Sequence, residues 1–138
     1  MAKKMITEIF EDIQSDKSRV SDYLNNTTLK ACFEFAYVPE KKWLLPEGNP
    51  PYKPASEPLG MTAANLLMTV RTWPNFSRSD IKPTKREELF INLLEGVHAS
   101  EALLILAVKN GELIKLYPFA TKKFAIANGF ITKTIKVE

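Results

Sequence analysis

Two helices written back to back, from Thr84 to Gly111 with the short turn Gly96-Val97-His98 between them, constrain this chain more than any other feature. In the first, Leu89, Phe90, Leu93, Leu94 and Val97 recur at the offsets of one helical face, while Glu87, Glu88, Asn92 and Glu95 point elsewhere. In the second, Ala102 to Val108 is apolar on every side, a pattern that a soluble protein accommodates only where other elements surround the helix. The rest of the chain is therefore expected to pack around Ala102–Val108 as a central post. Thr84-Lys85-Arg86-Glu87 has the spacing of a capping box, and Pro83 disfavours helix before it. The second helix is expected to begin at His98 or Ser100, with Glu101 at the positive end of its dipole. It should stop at Asn110-Gly111, where glycine takes the left-handed conformation cheaply.

The preceding chain supplies partners for that post. Met5, Ile6, Ile9, Phe10 and Ile13 make one face of a short helix. Asp16 is placed to cap a second helix through Val20, Tyr23 and Leu24, and Thr27 or Thr28 a third that runs to Tyr37. From Val38 to Gly60 the character changes, because six of the nine prolines fall there and forbid regular helix. Trp43, Leu44, Leu45 and Tyr52 are too apolar for a free linker, so residues 38–61 are expected to form a strap anchored across the helices by its aromatic side chains. Thr62 is placed to cap a helix carrying Ala63, Leu66, Leu67 and Val70, which Trp73-Pro74 would end. After Gly111, an irregular stretch leads to a last helix from Thr121 through Asn128. Alternating residues from Phe130 to Val137 then suggest an extended tail over 130–138. The expected fold is all-α: a single domain over residues 1–138, built as a compact bundle of about six or seven short helices with a proline-rich strap and a short C-terminal extended tail.

Chemistry is limited by what is missing. His98 is the only histidine, so one chain cannot assemble a histidine metal site, and a serine triad would have to use that residue alone. Cys32 excludes an internal disulfide and lies in the apolar pattern Leu29, Cys32, Phe33, Ala36, which reads as a core thiol suited to a reducing compartment. The five glycines are scattered singly and form no phosphate-binding loop. Glu87, Glu88, Glu95 and Glu101 are accounted for by capping and by solvated helix faces. No catalytic residue, metal or cofactor is expected, and no apolar run approaches the ~20 residues of a membrane-spanning helix.

The net charge of +3 is unevenly placed: residues 109–138 carry six lysines against Glu112 and Glu138. Such an end suits a polyanion, or is simply a solvated tail.

Two resemblances add to this. The motif Lys42-Trp43-Leu44-Leu45-Pro46-Glu47-Gly48 with Pro50-Pro51-Tyr52, followed by Arg86-Glu87-Glu88-Leu89-Phe90-Ile91-Asn92-Leu93-Leu94-Glu95-Gly96-Val97-His98, resembles a family of small uncharacterised proteins of T-even-type tailed phages and their marine relatives. That likeness covers nearly the whole chain and implies the cytoplasm of an infected bacterial host, without implying an activity. Separately, Ile6-Thr7-Glu8-Ile9, the stretch Asn26-Thr27-Thr28-Leu29-Lys30 leading to Tyr37, the paired helices, and Thr121 to Gly129-Phe130-Ile131 occur in an order similar to the N-terminal helical DNA-binding domain of phage ATP-dependent DNA ligases. The Lys-x-Asp-Gly motif of ligase catalysis is absent, and the proline-rich strap departs from the ligase pattern.

The expected function is that of a non-enzymatic phage accessory protein that binds double-stranded DNA through its backbone. Lys109, Lys115, Thr121, Lys122 and Lys123 are the candidate contacts, joined by Lys82, Lys85 and Arg86 if the fold brings them alongside. The alternative is a protein-interaction module that docks Trp43 and Tyr52 on a host or phage replication or transcription protein. A virion structural component is a third reading.

Overall fold

A computed structural model describes residues 5–131 except 39–42, 46–47, 49, 59–60 and 63. It is helical, with no strand among the described residues. Helix α1 spans Ile6–Ser15 and buries Ile6, Ile9, Phe10 and Ile13, the face its periodicity defines. A 3-10 turn, Lys17–Asp22, follows, with Asp16 accepting from the Ser18 amide at 3.0 Å. Helix α2 spans Thr27–Tyr37, and its cap is Asn26, not Thr27 or Thr28: Asn26 Oδ1 accepts from the Leu29 amide at 2.9 Å. Asparagine is the stronger capping residue, and Thr28 is drawn into the core.

Helix α3 is a single turn, Leu66–Thr69, that tightens into a 3-10 stretch, Val70–Ser77. Both ends differ from expectation. Thr62 does not cap it, because its hydroxyl donates to the Ala64 carbonyl while the Ala64 amide is held by Gly96 O of another helix at 2.8 Å. Asn65 takes the cap, accepting from the Met68 amide. Pro74 does not stop the winding, since the chain has already left α geometry four residues before it.

Helix α4, Pro83–Gly96, begins two residues earlier than the capping-box pattern implies: Lys82 stands at the cap position, Pro83 is the first residue and Thr84 lies inside. Proline costs nothing there, because the first amide of a helix lacks a partner anyway. Helix α5, Ala99–Asn110, starts on His98, whose Nδ1 accepts from the Ser100 amide, and stops at Gly111 with φ 68°. A one-turn helix α6, Leu113–Leu116, occupies the stretch expected to be irregular. Helix α7, Lys122–Ala127, is capped by Thr121. Beyond it Phe130 and Ile131 are buried, so the start of the expected tail belongs to the core; residues 132–138 lie outside the described residues.

Helix α5 packs against α1, α2, α4 and α6, as a central post should. Two aromatic clusters fill the space around it. Phe33 stacks on Phe130 at 5.2 Å and lies near Phe10 and Phe124. On the other side Trp43 meets Phe35, Trp73, Phe76 and Phe90 at 5.2–5.9 Å. The strap is thus pinned by a buried tryptophan, and its backbone is tied by Leu44 N donating to Phe76 O and Lys53 N donating to Glu95 Oε2.

Candidate functional site

The basic residues singled out by charge do not come together on one surface once folded. Lys122 and Lys123 stand exposed on the first turn of α7, and neither pairs with a carboxylate among the described residues. Their position is fixed from below, since Tyr37 at the end of α2 donates its hydroxyl to the Ala120 carbonyl. Phe33 and Tyr37 face α7, which places Lys30, one turn earlier on α2, on that side and in solvent. Its contribution to the basic surface was not legible from the chain order, because it depends on α2 lying beside α7.

Thr121 is not a phosphate ligand in waiting. Its amide donates to Phe119 O at 2.8 Å and its hydroxyl accepts from the Phe124 amide at 3.0 Å. Lys109 is buried, with Nζ 2.7 Å from Asn110 Oδ1. Its stem lines a cleft of about 230 Å³ with Tyr37 and Val108, between the C-terminal ends of α2 and α5. Lys115 is exposed but lies 3.5 Å from Glu112 and borders a different groove, between α5 and α6.

Lys82 and Lys85 are exposed at the start of α4, where Lys85 lies 3.7 Å from Glu88. Helix α4 packs on α5 and the 3-10 stretch, whereas α7 packs on α2, so these lysines form a separate group. Arg86 is turned inward: Nε donates to Leu44 O at 2.9 Å and Nη1 to the carbonyls of Arg78 and Ile81. Three carbonyls spend a planar guanidinium on holding the strap and the turn before α4 against that helix, which removes it from the DNA-facing set. Trp43 is likewise committed to the core, at 5% exposure, so it is no exposed anchor for a partner; Tyr52 is half-buried.

The most unusual side chain is one that charge alone would place in water. Glu101, in the first turn of α5, is fully buried. Its Oε1 accepts from the Leu66 amide at 3.3 Å, the first residue of α3, and the Ile6 amide at the start of α1 also favours its ionised form. One carboxyl thus sits where the positive ends of three helices converge. Burial outweighs those donors and pushes its pKa up to about 7. Ser100 joins the same region, 3.3 Å from Thr7 Oγ1 and 2.8 Å from His98 Nδ1. The spacing His98 to Glu101 is that of a capping box, the one sequence signal that pointed here.

Cys32 is buried and its thiol is raised far above its ordinary range by desolvation and by Glu101, so it is held protonated. With His98 engaged as a cap, these two do not make a nucleophile and base. No group of three or more His, Cys, Asp or Glu suited to a metal occurs among the described residues. None of their helices is long and apolar enough to cross a membrane.

The fold and these side chains define a small all-helical domain with a lysine pair on one face and a neutralisable carboxyl at its centre. The chain belongs to a family of unknown function, DUF6433, whose model matches residues 9–115, from α1 through most of α6. Neither a curated protein nor a solved structure matches it.

Proposed function

We propose that this is a non-enzymatic protein that binds duplex DNA by its phosphates, acting in the cytoplasm of a phage-infected bacterium. The observation that supports the reading is the pair Lys122 and Lys123: adjacent, exposed, without a carboxylate partner among the described residues, and set on a helix anchored by Tyr37. Lys30 extends the same surface. Helix α7, of six residues, resembles no recognition-helix motif, so the lysines are read as phosphate contacts and affinity should depend on salt and little on sequence. Each phosphate neutralised contributes ~0.9 to the slope of log affinity against log salt, so Lys122→Glu with Lys123→Glu should remove about two units. Fluorescence anisotropy on unrelated duplexes and a nicked duplex, across a salt series, measures this. Absence of binding at low salt, or an unchanged slope in the double variant, sinks the reading.

The alternative, docking on another protein, loses Trp43 as its anchor but is favoured by a different surface. Leu103, Ile114 and Leu116 are 53%, 48% and 38% exposed on α5 and α6.

A further inference from the structure

The first turn of α5 carries a carboxyl that the fold closes over without completing its hydrogen bonds. Glu101 is fully buried; its Oε1 accepts one long bond, 3.3 Å, from the Leu66 amide of α3, and its Oε2 has no partner among the described residues. We propose that Glu101 is a proton-operated latch: protonated, it lets α3 close over the start of α5, and ionised, it opens α3 so that water reaches the carboxylate.

A buried carboxylate is stable only where donors or a cation replace the water it has lost. Here one oxygen holds a single long bond and the other holds none, so the anion is poorly solvated for as long as the cover stays shut. None of the described ionisable groups around it supplies a cation. From α2 the group that feels it is Cys32, a buried thiol held protonated. The single turn of α3 has no ionisable side chain, and on α1 Glu8 is bonded to the Met5 amide at 2.8 Å. On its own helix His98 is engaged with Ser100, and Lys109 lies at the opposite end, bonded to Asn110. Arg86 of α4 is held by carbonyls of the strap and the turn. The Ile6 amide of α1 favours the anion as Leu66 does, but desolvation prevails and sets the pKa at about 7, so the latch works in the neutral range.

The cover gives way at α3 and not at α1, because α3 has less apolar surface to expose. Helix α1 buries Ile6, Ile9, Phe10 and Ile13, whereas α3 buries Leu66 alone and leaves Met68 60% exposed. A segment with so few buried contacts opens ahead of the whole fold. Since α3 packs on the 3-10 stretch and α7 on α2, the latch lies apart from Lys122 and Lys123 and does not depend on DNA binding.

The test is amide hydrogen exchange of the full chain by NMR from about pH 5 to about pH 8, corrected for the intrinsic dependence of exchange on pH and repeated in urea below the unfolding transition. Leu66 should exchange through an opening that urea barely changes, and should be less protected than Leu104 in the core. The opened form ionises first as pH rises, so Leu66 protection should fall by roughly 70-fold over that range, the ratio set by 4.5 in water and about 7 when covered. Glu101→Gln keeps the acceptor and cannot ionise, so its Leu66 protection should stay level with pH. If that variant is too unstable to study, the wild-type comparison of Leu66 with Leu104 decides. Leu66 protection that ignores pH in the wild type, a match to Leu104 in level and urea dependence, or the same fall with pH in Glu101→Gln would overturn the proposal.

Discussion

Replacing Glu101 by glutamine should change how stability depends on pH more than it changes the fold. The carboxyl is buried, with Oε1 on the Leu66 amide and Oε2 without a partner among the described residues. Its pKa is pushed from the ordinary 4.5 to about 7 by desolvation. The folded protein therefore holds this proton more tightly than the unfolded chain does. Below about pH 4.5 both states are protonated and the group makes no difference to folding. Between there and about 7 the unfolded chain ionises first, so stability falls as pH rises. Above that range the folded state carries a buried anion at a constant penalty. A rise from 4.5 to about 7 corresponds to about 3 kcal/mol across the window.

Glutamine keeps the acceptor for Leu66 and cannot ionise, although its amide leaves a buried donor where Oε2 stood, at about 1–3 kcal/mol. That offset is independent of pH, so the quantity to measure is the difference in unfolding free energy between Glu101→Gln and wild type, by urea denaturation at steps from pH 4 to pH 8.5. Exposed carboxylates held below their ordinary range, Asp16 by Ser18 and Asp80 by Arg78, cancel in that difference. The difference should move in favour of the variant by about 3 kcal/mol as pH rises. A difference that stays flat across the window would show that Glu101 titrates as an ordinary carboxylate, and that the starts of α1, α3 and α5 hold it ionised.

Arg86→Lys should lose roughly 2–4 kcal/mol in urea unfolding, because one ammonium cannot reach the carbonyls of Leu44, Arg78 and Ile81 together; a loss below ~0.5 kcal/mol would mean that this bracing is dispensable. Trp43→Ala should cost about 3–5 kcal/mol and expose the strap to protease, while Trp43→Phe should cost much less, since the indole Nε1 has no partner among the described residues; equal losses would place the tryptophan's value elsewhere than in its ring packing. Leu104→Ala should destabilise by ~2–5 kcal/mol and Leu103→Ala by no more than ~0.5 kcal/mol, a contrast between neighbours that equal values would refute.

What the sequence showed and what it hid follow one division. Elements with mixed composition were legible, because alternation of polar and apolar residues states which side is inward: Ile6, Ile9, Phe10 and Ile13 of α1 are buried as their spacing requires. Local chemistry was legible too, as at Gly111, at the cap on His98, and in the Trp43 anchor. Lys85 and Arg86 are adjacent and carry the same charge, yet one is in solvent and the other inside, because the carbonyl that fixes Arg86 nearest the strap belongs to Leu44, 42 positions away. Lys109 and Glu101 were misplaced on the surface for the same reason, since their burial depends on which helix ends converge.

The run Ala102–Val108 is a different case. An uninterrupted apolar sequence has no polar residue to mark an outer side, so periodicity could only say that every side is covered. The fold covers all of it except Leu103, at 53% exposure. The fold thus leaves open one place where the sequence called for cover, and that place adjoins a hollow with balanced charges on its rim. A single exposed leucine is ordinary on any protein surface. One that interrupts the burial of a central helix shows that tertiary packing, not periodicity, decides which side of an apolar run is left to solvent.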